Sequence, residues 1–127
     1  MTYIKHKSEE SMEDYLETIL LLHNKNNKVR SIDIVSELGY SKPSVSIAMK
    51  GLREKGLITM DEFGYITLTK EGIEIAEKVL ERHTVLSDWL IYLGVSEKTA
   101  KEDACRIEHD ISEETFEILK QHCLKRN

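Results

Sequence analysis

The spacing of apolar residues predicts that most of the chain is helical. In the first clear segment, Tyr15, Ile19 and Leu22 recur at helical spacing, and Met12 and Leu16 widen the stripe. A serine just before such a stripe is a favoured N-cap. The pattern therefore predicts a helix over residues 11–24 that begins at Ser11.

Two shorter helices follow, separated by a glycine turn. The first is predicted over residues 31–38 and ends at Gly39, where glycine adopts a left-handed conformation at little cost. The second begins after Ser41 as N-cap, tolerates Pro43 in its first turn and ends before Gly56. Two helices joined by a tight turn of this kind are typical of a helix-turn-helix.

The pattern then changes to β-type alternation. Residues 57–60 and 65–68 are rich in β-branched and apolar side chains, and the four residues between them favour a turn. Serine or threonine N-caps mark three further helices, over residues 70–93, 96–110 and 112–124. The predicted fold is mainly α, with a winged helix-turn-helix DNA-binding domain (residues 1–70) followed by an all-helical domain (residues 71–127).

Composition excludes several classes of protein. The chain has 127 residues, 40% hydrophobic and 32% charged, which is ordinary globular composition. It has neither an apolar run of membrane-spanning length nor an apolar secretory segment near residue 1. Its two cysteines are far apart, so we expect a protein of the reducing cytoplasm without a disulfide framework.

The charge is distributed unevenly. The net charge is −5, but residues 1–70 carry ten basic and ten acidic side chains, whereas residues 71–127 carry eight and thirteen. A basic segment between Lys28 and Lys55 is set against an acidic C-terminal half. This asymmetry is compatible with a DNA-binding head on an acidic body, and alone it is weak support.

The helix after Ser41 has two distinct sides. Val45, Ala48, Met49 and Leu52 gather on one side and are expected to pack on the domain core. The opposite side offers small residues first and cations further along, which suits a helix that enters the major groove. The simpler alternative is an amphipathic surface helix with ordinary lysines. The DNA-binding interpretation predicts contacts from Ser41, Lys42, Pro43, Ser44, Ser46, Ile47, Lys50 and Arg53.

The predicted wing tip carries Asp61 and Glu62, so we do not expect it to hold phosphate strongly. Near the N-terminus, Lys5, His6 and Lys7 form a basic cluster that is either a DNA-contacting arm or a disordered tail.

A possible metal site lies in the stretch ACRIEH, residues 104–109. Within a helix, Cys105, Glu108 and His109 would lie on one side, separate from the apolar stripe that contains Ala104 and Ile107. A thiolate, a carboxylate and an imidazole can hold a metal ion, although a complete site needs further ligands. The competing interpretation keeps the DNA-binding head but makes Cys105 a sensor of thiol oxidation.

Three other residues are candidate ligands, and each has a simpler explanation. Asp14 and Glu17 lie three apart on the first helix, but Asp14 could complete a capping box with Ser11, and Glu17 could be a surface charge. His83 lies on the apolar stripe of its helix, where a core histidine is usual. The chain has no HExxH, nucleophile elbow or Gly-rich phosphate loop, which argues against an enzyme.

Taken in order along the chain, these stretches resemble one family. SMEDYLETI (11–19), SELGYSKPSVSIAMKGLREKGLI (36–58), LTKEG (68–72), the RH at 82–83 and ACRIEH are similar to the DtxR/MntR family, the diphtheria-toxin repressors and manganese transport regulators. The resemblance covers nearly the whole chain. It implies a homodimeric, metal-activated transcriptional repressor that binds a palindromic operator in double-stranded DNA, with no membrane partner and no small-molecule substrate.

The resemblance also implies a ligand set. Asp14 and Glu17 match two carboxylates of the manganese branch, His83 matches a ligand histidine, and Glu108 and His109 match a shared pair. The position of Cys105 is Cys in the iron branch and Glu in the manganese branch. The implied cofactor is therefore Mn²⁺ or Fe²⁺, and Zn²⁺, Co²⁺ or Ni²⁺ would also bind in vitro.

Two departures from the iron branch indicate a shorter, two-domain member. Ser87 and Lys101 stand where the iron branch has an ancillary metal site, which they cannot form. The sequence also ends before any SH3-like third domain.

Overall fold

The computed structural model describes residues 7–125, with side chains described from residue 11 to residue 123. The basic cluster of Lys5, His6 and the Lys7 side chain lies outside these limits. The chain divides into two compact units, Met1–Glu77 and Lys78–Asn127, and α4 contributes residues to both. The described elements are α1 (Lys7–Asn26), α2 (Ser31–Leu38), α3 (Lys42–Glu54), β1 (Ile58–Met60), β2 (Ile66–Leu68), α4 (Lys70–Leu93), α5 (Glu97–Ile107) and α6 (Glu113–Lys125).

The first unit is a winged helix-turn-helix, as the sequence predicts. β1 and β2 form an antiparallel pair in which Thr59 faces Thr67. Beside β2, the main-chain carbonyl of Val29 accepts a hydrogen bond of 2.7 Å from the N–H of Ile66. The core is built from the apolar sides of the three helices and the inward residues of the strands, with these side chains almost fully buried: Leu16, Ile19, Val29, Ile34, Val45, Met49, Ile58 and Ile66.

The turn between α2 and α3 is formed as predicted. Gly39 has φ 72° and its N–H donates to the carbonyl of Val35 over 2.9 Å, which closes α2. The hydroxyl of Ser41 accepts a hydrogen bond of 3.3 Å from the N–H of Ser44, and Pro43 lies in the first turn of α3. The sequence thus fixes both the end of one helix and the beginning of the next.

In its described part, the second unit consists of helices joined by turns. Apolar side chains of α4, α5 and α6 are buried, and α5 and α6 begin at the predicted caps. Ser96 accepts from the N–H of Thr99 over 3.4 Å, and Ser112 accepts from the N–H of Thr115 over 3.1 Å. None of the described helices is both long and apolar enough to cross a membrane.

Two predicted helix ends are wrong. α1 already includes Lys7, so Ser11 lies within the helix and cannot cap it. The capping-box explanation for Asp14 therefore fails. α5 ends at Ile107 rather than at Asp110, with Glu108 as its C-cap. The residues that follow α5 form a turn whose carbonyls accept hydrogen bonds from a distant arginine.

Candidate DNA interface and metal centre

The outward side of α3 is exposed along its whole length. Val45, Met49 and Leu52 are at most 3% exposed and Ala48 is partly buried, so the predicted core side packs inward. Ile47 on the opposite side is 73% exposed. All the predicted DNA-contacting side chains are exposed to solvent: Ser41, Lys42, Pro43, Ser44, Ser46, Ile47, Lys50 and Arg53. This side of α3 is therefore accessible to a nucleic acid.

The wing turn is stabilised by one of its own acidic residues. The Asp61 carboxylate accepts hydrogen bonds of 2.9 Å from the N–H groups of Phe63 and Tyr65, and Gly64 takes φ 85°. Asp61 thus has a structural role in the turn, which the sequence did not reveal. Glu62 is exposed.

In the second unit, the Glu108 carboxylate lies between two imidazoles. Nδ1 of His83 on α4 is 3.0 Å from Oε2 of Glu108, and Nε2 of His109 is 3.4 Å from Oε1. The side chains of Glu108 and His109 are each 1% exposed, and that of His83 is 26% exposed. Burial of charged or polar groups is costly unless they are paired, so this cluster is a built feature of the unit.

Cys105 differs from the other two residues of ACRIEH. It is exposed, whereas Glu108 and His109 are buried, and its thiol lies within 4.8 Å of a Glu108 carboxylate oxygen. α5 ends at Ile107, and His109 lies in the turn that follows. Cys105 forms no disulfide among the described residues.

Asp14 and Glu17 belong to the first unit. Both lie on α1, three residues apart, and both are partly buried. They are on the same side of the helix, as their spacing predicts. They are therefore not fully solvated surface charges.

Arg82 has a role that no pattern in the sequence predicts. Its Nη1 donates to the main-chain carbonyls of Glu108 and Ile111 at 3.0 Å each, and its Nη2 donates to the Glu113 carboxylate at 2.9 Å. The guanidinium also lies over the ring of Phe116, 5.2 Å from its centroid. Only its place beside His83 in the RH pair hinted at a role. Arg82 fixes the turn that carries Glu108 and His109.

The chemistry of this cluster fits a divalent cation. Two imidazole nitrogens and a carboxylate are ligands that first-row transition metals accept, and each imidazole lies beside its own carboxylate oxygen, His83 beside Oε2 and His109 beside Oε1. A ligand histidine is usually oriented by a second hydrogen bond, and the main-chain bonds to Arg82 hold the Glu108–His109 segment in a comparable way.

Comparison with known protein families matches the first part of the chain to a DNA-binding domain and the second part to a metal-binding and dimerisation domain. Residues 7–65 match the family described as iron dependent repressor, N-terminal DNA binding domain. Residues 69–125 match the family described as iron dependent repressor, metal binding and dimerisation domain. The two matches together cover most of the chain.

Individual relatives are transcriptional regulators. The chain is 38% identical over 113 residues to an uncharacterised HTH-type transcriptional regulator of Methanocaldococcus jannaschii, covering 87% of this chain and 90% of that protein. It is 37% identical over 111 residues to the transcriptional regulator MntR of Escherichia coli, covering 87% of this chain and 72% of that one. A solved manganese-dependent transcriptional repressor in complex with manganese superposes with a TM-score of 0.81 at 25% identity, over 88% of this chain. This chain spans about half the length of that structure, 52%.

Proposed function

We propose that this chain, which belongs to the iron-dependent repressor (DtxR/MntR) family of metal-dependent transcriptional regulators, is a homodimer that binds a palindromic operator when Mn²⁺ or Fe²⁺ is bound. The members of this family are not enzymes. The observation that carries the proposal is the Glu108 carboxylate held between the imidazoles of His83 and His109. This cluster lies in the part of the chain that matches a metal-binding domain.

The proposed ligand set extends beyond this cluster. His83, Glu108 and His109 would hold the ion together with the Cys105 thiolate, and Asp14 and Glu17 of α1 would complete the set. A bound divalent ion would supply positive charge among several carboxylates that otherwise repel one another. Since a metal ligand must be deprotonated, we expect the affinity for metal to fall on acidification.

The proposed switch follows from where these ligands lie in the sequence. Asp14 and Glu17 belong to the DNA-binding unit, and the other ligands belong to the second unit. A ligand set drawn from both units would make the placement of α3 depend on metal. In a dimer, the two copies of α3 would then lie about 34 Å apart, one turn of DNA. A bias of about 1–3 kcal/mol toward that arrangement is enough for a switch.

The proposed DNA contacts are those of the exposed side of α3. The small side chains of Ser44 and Ser46 leave room for base edges, and Lys50 and Arg53 would neutralise phosphates. The exposure of these side chains supports this assignment, because none of them is engaged in the core of the first unit.

The proposed metal is Mn²⁺ or Fe²⁺, on the basis of oxygen-rich ligation with one thiolate. Zn²⁺, Co²⁺ and Ni²⁺ should bind at least as tightly in vitro, since affinity follows the Irving–Williams order. Selectivity in the cell would then depend on geometry and on which metal is available.

The test is a DNA-binding titration with Mn²⁺, Fe²⁺, Co²⁺ and Zn²⁺ in turn, using operator sequences selected from a random duplex pool. We expect binding with metal and loss of binding in EDTA. The variant His109→Ala should no longer bind DNA in response to added metal. His122→Ala, which replaces an exposed histidine on α6, is the matched control. DNA binding that is equal with metal and with EDTA would contradict the proposal.

A further inference from the structure

A pair of cations lies beside the turn of the wing, on a segment separate from α3. Lys28 and Arg30 are both exposed, and both lie against the ring of Tyr65. The ammonium of Lys28 is 5.1 Å from the ring centroid, and the guanidinium carbon of Arg30 is 4.3 Å from it. An aromatic face attracts cations, so the ring holds both side chains in place.

The main chain beneath this pair is fixed to the core. Val29, between the two cations, is fully buried, and its carbonyl accepts a hydrogen bond of 2.7 Å from the N–H of Ile66 in β2. The alternation of exposed, buried and exposed residues is that of an extended strand, which places Lys28 and Arg30 on the same outer side. The two charges are therefore presented by a segment whose main chain is hydrogen-bonded to β2.

The neighbouring carboxylates are engaged with main-chain groups. Asp33 accepts a hydrogen bond of 2.8 Å from the N–H of Arg30, and Asp61 accepts from the two N–H groups of the wing turn. In the part of the chain whose side chains are described, no salt bridge involves Lys28 or Arg30. The positive charge of this pair is thus available to an outside anion.

The pair adjoins the proposed DNA-contacting surface. A groove of about 430 Å³ is lined by the first turn of α2, at Ser31 and Ile32, and by Lys42 and Ser46 on the outward side of α3. Arg30 immediately precedes Ser31. The main chain that carries the cation pair therefore runs directly into the lining of this groove.

We propose that Lys28 and Arg30, held by the ring of Tyr65, are a second DNA-backbone site that contacts phosphates beside the turn of the wing. This inference rests on the proposed DNA-binding function and extends it. The contacts would add affinity without sequence preference, because they involve phosphates and not bases. They also compensate for a wing tip that carries two acidic residues.

The experiment measures how DNA binding depends on salt. Affinity for a mixed-sequence duplex is measured with Mn²⁺ present, from about 50 mM to about 200 mM KCl. Each lost phosphate contact lowers the slope of log K against log salt by about 0.9. The double variant Lys28→Gln/Arg30→Gln should therefore lower the slope by about 1.8 for each bound subunit. The matched control Lys98→Gln/Lys101→Gln, which removes two exposed cations of α5, should retain the wild-type slope.

The remaining variants test the ring and guard against misfolding. Tyr65→Phe should bind as the wild type does, because the ring face and not the hydroxyl holds the cations, whereas Tyr65→Leu should bind severalfold more weakly. If the double variant fails to fold, the two single variants are measured instead. Each should lower the slope by about half of the decrease expected for the double variant. A wild-type slope in the cation variants would overturn the inference while leaving the proposed function intact. No metal-dependent DNA binding by the wild type would overturn both.

Discussion

The guanidinium of Arg82 donates a hydrogen bond of 3.0 Å to the main-chain carbonyl of Glu108, which lies 26 residues further along the chain. The same nitrogen reaches the carbonyl of Ile111 at 3.0 Å. Since both carbonyls belong to the turn after α5, one side chain of α4 determines how that turn is held. Glu108 and His109 project from it.

Arg82→Gln should therefore affect both stability and metal binding. The change removes hydrogen bonds from a side chain that is only 14% exposed, so we expect a loss of about 2–4 kcal/mol in the free energy of unfolding. Metal affinity should fall about tenfold, because residues that orient ligands have effects of this size. Urea unfolding in EDTA and Mn²⁺ titration measure the two effects. Arg106→Gln, an exposed arginine that pairs with Asp103, is the control and should change the unfolding free energy by less than about 1 kcal/mol. Unchanged metal affinity in Arg82→Gln would contradict a positioning role.

Gly72→Ala should destabilise the first unit. A Cβ at Gly72 would collide with the main-chain carbonyl oxygen of Leu57, which cannot move aside as a flexible side chain can. We expect a loss of about 1–3 kcal/mol in the free energy of unfolding. Gly51→Ala is the matched control within a helix: nothing lies within 4 Å of its Cβ position, so the change should raise stability by about 0.5–1 kcal/mol. Equal effects of the two substitutions in urea unfolding would argue against the close approach of α4 to Leu57.

Glu113→Gln should change how stability depends on pH. The hydrogen bond from Arg82, with the charges of Lys78 and Arg82, lowers the pKa of Glu113 below its ordinary value of 4.5. A carboxyl group whose pKa is lowered in the folded state stabilises the protein above its unfolded pKa, and this stabilisation is lost as the pH falls through the folded pKa. The melting temperature of Glu113→Gln should thus lie below that of the wild type at pH 7, and the gap should close at acidic pH. If the difference in melting temperature is the same at neutral and at acidic pH, the ion pairs of Glu113 with Arg82 and Lys78 are not its cause.

Local sequence was sufficient to predict the elements of the helix-turn-helix. Gly39, Ser41 and Pro43 act within one helical turn of their own positions, so their effect on the backbone can be read without knowing the fold. The outward side of α3 was predictable for a similar reason, since its apolar residues follow a single helical period.

The end of α5 and the environment of ACRIEH could not be predicted in this way. Helical spacing continues through Asp110, but α5 stops at Ile107 and Arg82 binds the carbonyls beyond it. Nothing near residue 108 in the sequence signals that contact. The beginning of α1 was missed for a different reason: serine is a good N-cap, but it is also tolerated within a helix, as Ser11 is.

Cys105→Glu should shift the metal preference toward Mn²⁺. A carboxylate is a harder ligand than a thiolate, and harder ligands favour Mn²⁺ over Zn²⁺. Because Cys105 is exposed, the larger side chain can be accommodated without disturbing the core. We expect the ratio of apparent Mn²⁺ to Zn²⁺ affinities, measured by competition titration, to rise about tenfold.

Cys105→Ser is the control for this substitution, because it removes the thiolate without adding a carboxylate. It should weaken the binding of both metals and leave their ratio nearer to that of the wild type. If Cys105→Glu and Cys105→Ser both retain the wild-type affinities, Cys105 is not a ligand, and the metal is held by the imidazole and carboxylate groups alone. Loss of DNA binding on peroxide treatment of the wild type but not of Cys105→Ser, in the presence of EDTA, would instead favour thiol oxidation as the signal.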